Sequence, residues 1–109
     1  MDDSTWRELW VSLASLLRSY TALHGLGAAR QAVVEWDEGW IAVRHGEKWL
    51  ELERRHAAVN WRREDGSQGT LELTEAGRLR SGSGEEEMDL AAEAWARGLT
   101  REVTRELTQ

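Results

Sequence analysis

Apolar residues in the first part of the chain fall at Trp6, Leu9, Trp10, Leu13, Leu16, Leu17, Tyr20 and Leu23. Spacings of three and four draw a single stripe along a helix and predict one over residues 5–24. Thr5 followed by Glu8 has the form of a capping box, and Gly25 before Leu26 that of a glycine C-cap with its hydrophobic contact. Between Arg30 and Arg80 the period drops to about two, and turn signals recur at Asp37-Glu38-Gly39, Gly46-Glu47, Asp65-Gly66 and Ala76-Gly77. This predicts a meander of antiparallel strands near 31–37, 40–45, 48–54, 57–63, 69–74 and 78–80. After the loop "SGSG" (81–84), Ser83 with Glu86 forms a second capping box. Glu85, Glu86, Glu87 and Asp89 then crowd what reads as a first helical turn, where the helix dipole favours negative charge. Met88, Ala91, Ala92, Trp95, Leu99, Val103 and Leu107 mark the buried stripe of a second helix over 85–107. The expected fold is α+β, a two-layer sandwich with both helices on one face of an antiparallel five- to six-stranded meander, in one domain spanning 1–109.

The stretch "VVEWDEGWIAV" (33–43) is apolar at nearly every other position on both of its faces. If Asp37-Glu38-Gly39 is a three-residue loop, Trp36 pairs with Trp40, Val34 with Ala42 and Val33 with Val43. A two-residue Gly46-Glu47 loop pairs Val43 with Leu50 and Ile41 with Leu52. Alternation then separates two faces. One carries Val33, Ile41, Val43, Leu50, Leu52, Val59, Trp61, Leu71, Leu73 and Leu79, and should meet the helices. The other carries Val34, Trp36, Trp40, Ala42, Arg44, Trp49, Glu51 and Glu53, with Asn60, Arg62 and Glu72. Charges interleaved with aromatics on a sheet face should lie against water, a ligand or another chain.

Composition sharpens this picture at a few points. The chain has 109 residues and a formal charge of -6, from 20 acidic and 14 basic side chains, a balance that repels phosphate backbones and weighs against nucleic acid. Cysteine is absent, so thiolate zinc sites, cysteine nucleophiles and disulfides are excluded. The start "MDDSTWREL" is acidic where a signal peptide would be basic. The longest uncharged apolar run, "WVSLASLL", is far short of the ~20 residues of a membrane span, so a cytoplasmic location away from membranes is expected. Seven tryptophans stand beside no phenylalanine. Trp6, Trp10, Trp61 and Trp95 fall on core positions. Trp36, Trp40 and Trp49, with Arg44, Arg62 and Asn60, form the candidate binding face, because Trp and Arg dominate interface hot spots. Its occupant is a protein partner or a second copy of the chain; simple cross-strand stiffening of the sheet is the competing role for the same rings.

Catalytic chemistry finds little support. "GLGAAR" (25–30) has two glycines of a dinucleotide fingerprint, but it follows a helix and carries arginine at the third glycine position. No G-x-S-x-G, P-loop, H-E-x-x-H or EF-hand pattern occurs, and His24, His45 and His56 lack ligand spacing. A non-enzymatic module without a cofactor is expected.

Helix, antiparallel meander and helix in about 105 residues, with a glycine turn after the first strand and "SGEEEMDL" before the last helix, resembles the bacterial frataxin family. The resemblance implies an iron-binding regulator of iron-sulfur cluster assembly that docks to the cysteine desulfurase machinery. Glu35 and Asp37 match its acidic ridge positions, while "HAAVNW" (56–61) keeps the tryptophan region of its sheet motif without the proline.

Overall fold

The computed structural model describes residues 3–24 and 32–100. Helix α1 (Ser4–His24) leads into strands β1 (Val33–Trp36), β2 (Trp40–His45), β3 (Lys48–Arg55), β4 (Ala58–Arg63), β5 (Gln68–Leu73), β6 (Arg78–Ser81) and β7 (Gly84–Glu87), and helix α2 (Met88–Thr100) closes the order. The strands form one antiparallel sheet in sequence order, β1 to β7. The arrangement is α+β with a helix at each end of the strand run, and among the described residues the sheet has seven strands instead of five or six.

The buried stripe of α1 is Trp10, Leu13, Ala14, Leu17 and Thr21. Leu23, which the periodicity placed on that stripe, is exposed. The helix begins one residue before the predicted Thr5 cap: the Asp3 carbonyl accepts the Arg7 N–H at 3.0 Å, closing the first turn. The predicted cap at Gly25 and the segment "GLGAAR" lie outside the described residues. From the strands, Ile41, Val43, Leu50, Leu52, Val59, Leu73 and Leu79 join both helices in a single buried cluster, with Val34, Trp6, Trp61, Leu71 and Trp95 packed at its margin. Apart from the first strand, this is the face that alternation selected.

Strand β1 is the exception. Its register pairs Val33 with Arg44, Val34 with Val43, Glu35 with Ala42 and Trp36 with Ile41, one residue away from the expected pairing. The cause is the turn. Asp37 and Trp40 flank a two-residue loop, Glu38-Gly39: the Asp37 N–H donates to the Trp40 carbonyl at 2.9 Å. The return bond comes from the side chain, since Asp37 Oδ1 accepts the N–H groups of Gly39 at 2.8 Å and Trp40 at 3.0 Å. That substitution frees the Asp37 carbonyl, which accepts the indole N–H of buried Trp10 at 2.8 Å. A slip of one residue exchanges the two faces of a strand. Val34 therefore faces the core, Val33 is on the outer face, and Trp36 is on the helical side at the sheet margin, not beside Trp40.

The stretch "GEEE" is a strand where the capping signals predict the start of a helix. Glu85, Glu86 and Glu87 are in strand β7, and the last helix starts at Met88. Helical propensity yields here to strand pairing with β6, whose register sets Arg80 opposite Glu85 and Arg78 opposite Glu87. The Met88 N–H donates to the Gly77 carbonyl at 3.2 Å, which anchors the start of α2 to the β5–β6 turn. Val103 and Leu107 lie outside the described residues.

The helices meet along α1 and the first turns of α2. The Tyr20 hydroxyl donates to the Asp89 carboxylate, and Glu93 lies 3.4 Å from His24 and 3.1 Å from Arg97. The Tyr20 phenol is held above its ordinary range, first by that hydrogen bond and then by desolvation and the charges of Asp89 and Glu93.

Candidate functional site

The outer face is assembled by alternation from strands whose other side chains are in the core. β2 supplies Trp40, Ala42 and Arg44; β3 supplies Trp49, Glu51 and Glu53; β4 supplies Asn60 and Arg62. The register sets Arg44 opposite Trp49, Ala42 opposite Glu51, and Trp40 opposite Glu53. Trp40, Trp49, Arg44, Arg62 and Asn60 thus share one face, as the periodicity predicts. Trp36 does not join them: its partner Ile41 points into the core, so its ring, 40% exposed, belongs to the opposite side of the sheet.

Charges on this face are arranged as cross-strand pairs. Glu35 reaches Arg44 at 3.4 Å, Glu51 pairs with Arg62, and Glu72 with Arg80. The Thr70 hydroxyl donates to Asn60 Oδ1 at 3.1 Å. Beyond Asn60 the face becomes a ladder without aromatics, in which Arg80 and Arg78 alternate with Glu72, Glu85 and Glu87. The Arg80 guanidinium is held above its ordinary pKa, chiefly by its hydrogen bond to Glu72. The aromatic half of the face therefore lies toward β1 and the purely ionic half toward β7.

Small side chains shape the aromatic half. Ala42 is the floor of a recess of about 380 Å³ walled by Glu35, Trp40, Arg44, Glu51 and Arg62. A second recess, about 220 Å³, lies between Arg44 and Trp49. A third, about 780 Å³, runs from the β1–β2 turn along Trp40 to Asn60, past Asp37, Glu38, Glu53 and Arg55. Trp40 stands at the junction of two of them, and its ring is 40% exposed.

Glu35 and Asp37, the acidic pair implied by the frataxin resemblance, are engaged otherwise: Glu35 with Arg44, and Asp37 with the N–H groups of its own turn. Among the described residues no group of three or more His, Asp or Glu side chains is placed to hold a metal ion. His45 and His56 are at opposite ends of β3, as expected.

One cluster escaped the sequence reading. Arg54 follows the parity of Leu50 and Leu52 onto the core side, and its side chain is only 5% exposed. It donates to Asp3 at 3.3 Å, to the His56 carbonyl at 3.1 Å and to the Glu38 carbonyl at 3.0 Å, with its guanidinium 5.9 Å from the Trp10 ring centroid. Asp3 also lies 3.2 Å from His56 Nδ1. Desolvation alone would raise the Asp3 pKa; the hydrogen bonds to His56 and Arg54 outweigh it and hold the carboxyl below its ordinary value. The network ties the start of α1 to two hairpin turns. Its signal was parity, since an arginine two residues past Leu52 on the same strand must enter the core side.

No helix among the described residues is long and apolar enough to cross a membrane. No family model matches the chain, and no curated protein or solved structure matches it either.

Proposed function

We propose that the chain is a non-enzymatic binding module, a two-layer sandwich whose helices cover one face of the sheet while the aromatic half of the other docks a protein partner. The carrying observation is Trp40, a ring 40% exposed at the junction of two recesses on the face turned away from the core. Asp37, Glu38 and Glu53 line the larger recess beside it together with Arg54 and Arg55, an excess of one acid over the cations. An indole face flanked by acids favours a cationic side chain, so the partner offers an arginine or lysine that stacks on Trp40. Trp49, Arg44, Arg62 and Asn60 extend the contact on the same face.

The test is an NMR titration with short peptides carrying arginine, lysine or neither, followed through the indole N–H resonances. The expected result is movement of the Trp40 and Trp49 resonances with the cationic peptides. Trp40→Ser should abolish it while the melting temperature changes by less than about 4 °C, the equivalent of ~1 kcal/mol at this size. Failure of any cationic peptide to move the Trp40 resonance would refute the reading. So would a much larger drop in melting temperature for Trp40→Ser, which would make the ring a packing element. A dimer that Trp40→Ser disrupts would assign the face to a second copy of the chain.

A further inference from the structure

The two edges of the sheet are unlike. In the strand order β1 to β7, only the first and last strands have a neighbour on one side alone among the described strands, so each presents a row of backbone N–H and C=O groups to whatever lies beside it. The β7 edge reads Gly84-Glu85-Glu86-Glu87, every residue exposed. Three successive carboxylates oppose the approach of another acidic strand. The β1 edge reads Val33-Val34-Glu35-Trp36, with one charge, and that charge is drawn inward to Arg44. Val33 is 51% exposed on the outer side of this edge and Trp36 40% exposed on its helical side. The exposed apolar side chains therefore flank the strand on both faces, where the side chains of an added strand would cover them.

We propose that β1 is a self-association edge: two copies pair antiparallel through β1 about a two-fold axis at Val34, extending the sheets into one. Parity narrows the register to axes centred on a residue. A two-fold axis normal to the sheet keeps both outer faces on the same side, so opposed residues must share a side. Centring on Glu35 would place like charges together, whereas centring on Val34 sets Val34 against its copy, Val33 against Glu35 of the second copy, and Ala32 against its Trp36. The small Ala32 side chain leaves room for the indole. No like charges meet within the paired strands. The contact is isologous and closes at two, because both β7 edges then face outward with their glutamates. The alternative of β1 adding to β7 would set Val33, Val34 and Trp36 against Glu85–Glu87 and propagate without closure. The edge is distinct from the outer face around Trp40, so self-association through β1 stands or falls separately from docking on that face.

The experiment is sedimentation equilibrium on the full chain from low to high micromolar concentration, with circular dichroism to confirm folding. A reversible monomer–dimer equilibrium is expected. Val33→Glu places two symmetric Glu–Glu contacts across the axis and should weaken the dimer at least about tenfold. Within each chain the new carboxylate faces Arg44, so the fold is retained. The double variant V33E/E35K converts those contacts to Glu–Lys pairs and should restore the affinity to within about threefold of the parent. Trp40→Ser should leave dimerisation unchanged. A chain that stays monomeric throughout overturns the proposal, as does a dimer indifferent to Val33→Glu. Failure of V33E/E35K to restore what Val33→Glu removes overturns the register. A dimer lost with Trp40→Ser but kept with Val33→Glu moves the interface to the outer face and ends the β1 proposal.

Discussion

Gly69 faces Trp61 directly across β4 and β5, and its missing side chain is the space the indole occupies. A Cβ at that position would lie 2.7 Å from Trp61 Nε1, 2.9 Å from Cε2 and 3.0 Å from Cζ2. Carbon contacts rest at about 3.5–4.0 Å, so Gly69→Ala obliges the ring to retreat by roughly 1 Å. It has somewhere to go: with Leu71, Leu79 and Trp95, Trp61 lines a cavity of about 350 Å³ between α2 and the later strands. Retreat still takes the ring off its rotamer and away from the core margin, an overpacking cost of about 1–3 kcal/mol. Against this, replacing glycine reduces the freedom of the unfolded chain, a gain of about 0.4–1 kcal/mol. The net expectation is destabilisation by about 1–2 kcal/mol, a fall of roughly 5–10 °C in melting temperature. Gly82 is the internal control, since nothing lies within 4 Å of its Cβ position. Gly82→Ala should therefore be neutral or stabilising by a few tenths of a kcal/mol. The assay is urea denaturation followed by far-UV circular dichroism, run also in a Trp61→Leu background. There the indole is gone, and Gly69→Ala should become neutral or favourable. Equal cost in both backgrounds, or a stabilising Gly69→Ala in the parent, would refute the contact as the reason for the glycine.

Two further expectations concern titration. Asp3 has its pKa lowered from 3.8 in the fold, so its contribution to stability is fully present above that value and lost as pH falls through the lower, folded value. Comparing urea midpoints between pH 5 and 2, Asp3→Asn should be less stable than the parent at the upper end and converge with it at the lower; parallel curves would contradict the Arg54–His56 network. Tyr20 behaves in the opposite sense: its pKa is raised from 10.0, so its contribution is present below that value and lost as pH rises through the folded one. It is the single tyrosine of the chain, and phenolate absorbance reports it alone. Asp89→Asn should bring that titration back toward the ordinary value, and an unchanged curve would remove the Tyr20–Asp89 contact between the helices.

The parts of the fold legible in the sequence are those where the local pattern and the tertiary environment demand the same thing. The α1 stripe is periodic over five turns and lies against the core with Trp10, Leu13 and Leu17 where the spacing puts them. Strands β2 and β3 are joined by Gly46, whose φ of 66° suits a two-residue turn, so their register follows from loop length alone. The β1–β2 turn defeats the same rule because its hydrogen bonding is shared between backbone and side chain: counting residues cannot reveal that Asp37 uses its carboxylate where a tighter turn would use its carbonyl. One unread hydrogen bond moved Trp36 from the outer face to the helical side, while Trp40, Trp49, Arg44, Arg62 and Asn60 kept their places because their register is fixed from the β2–β3 side. "SGSGEEE" misleads for a different reason. Its local signals for a helix start are sound, and they are overruled by antiparallel pairing with β6, which sets Arg78 and Arg80 opposite Glu87 and Glu85 and which no local window contains.

That overruling also organises the surface. The same glutamates that join Arg78 and Arg80 in the ionic ladder give β7 an acidic, exposed edge, and they complete the half of the outer face that carries no aromatic ring. Ion pairs on an exposed face contribute little stability each, about 0–1 kcal/mol. On the proposals made above, their larger consequence is exclusion: an acidic edge and a charge-saturated half-face leave the β1 end for association, where Val33, Trp36 and Trp40 are the large apolar side chains exposed among the described strands. The slipped register of β1 exchanges the two faces of that strand, turning Val33 outward and Trp36 toward the helices, and so parts Trp36 from Trp40, which the unslipped pairing would have set side by side.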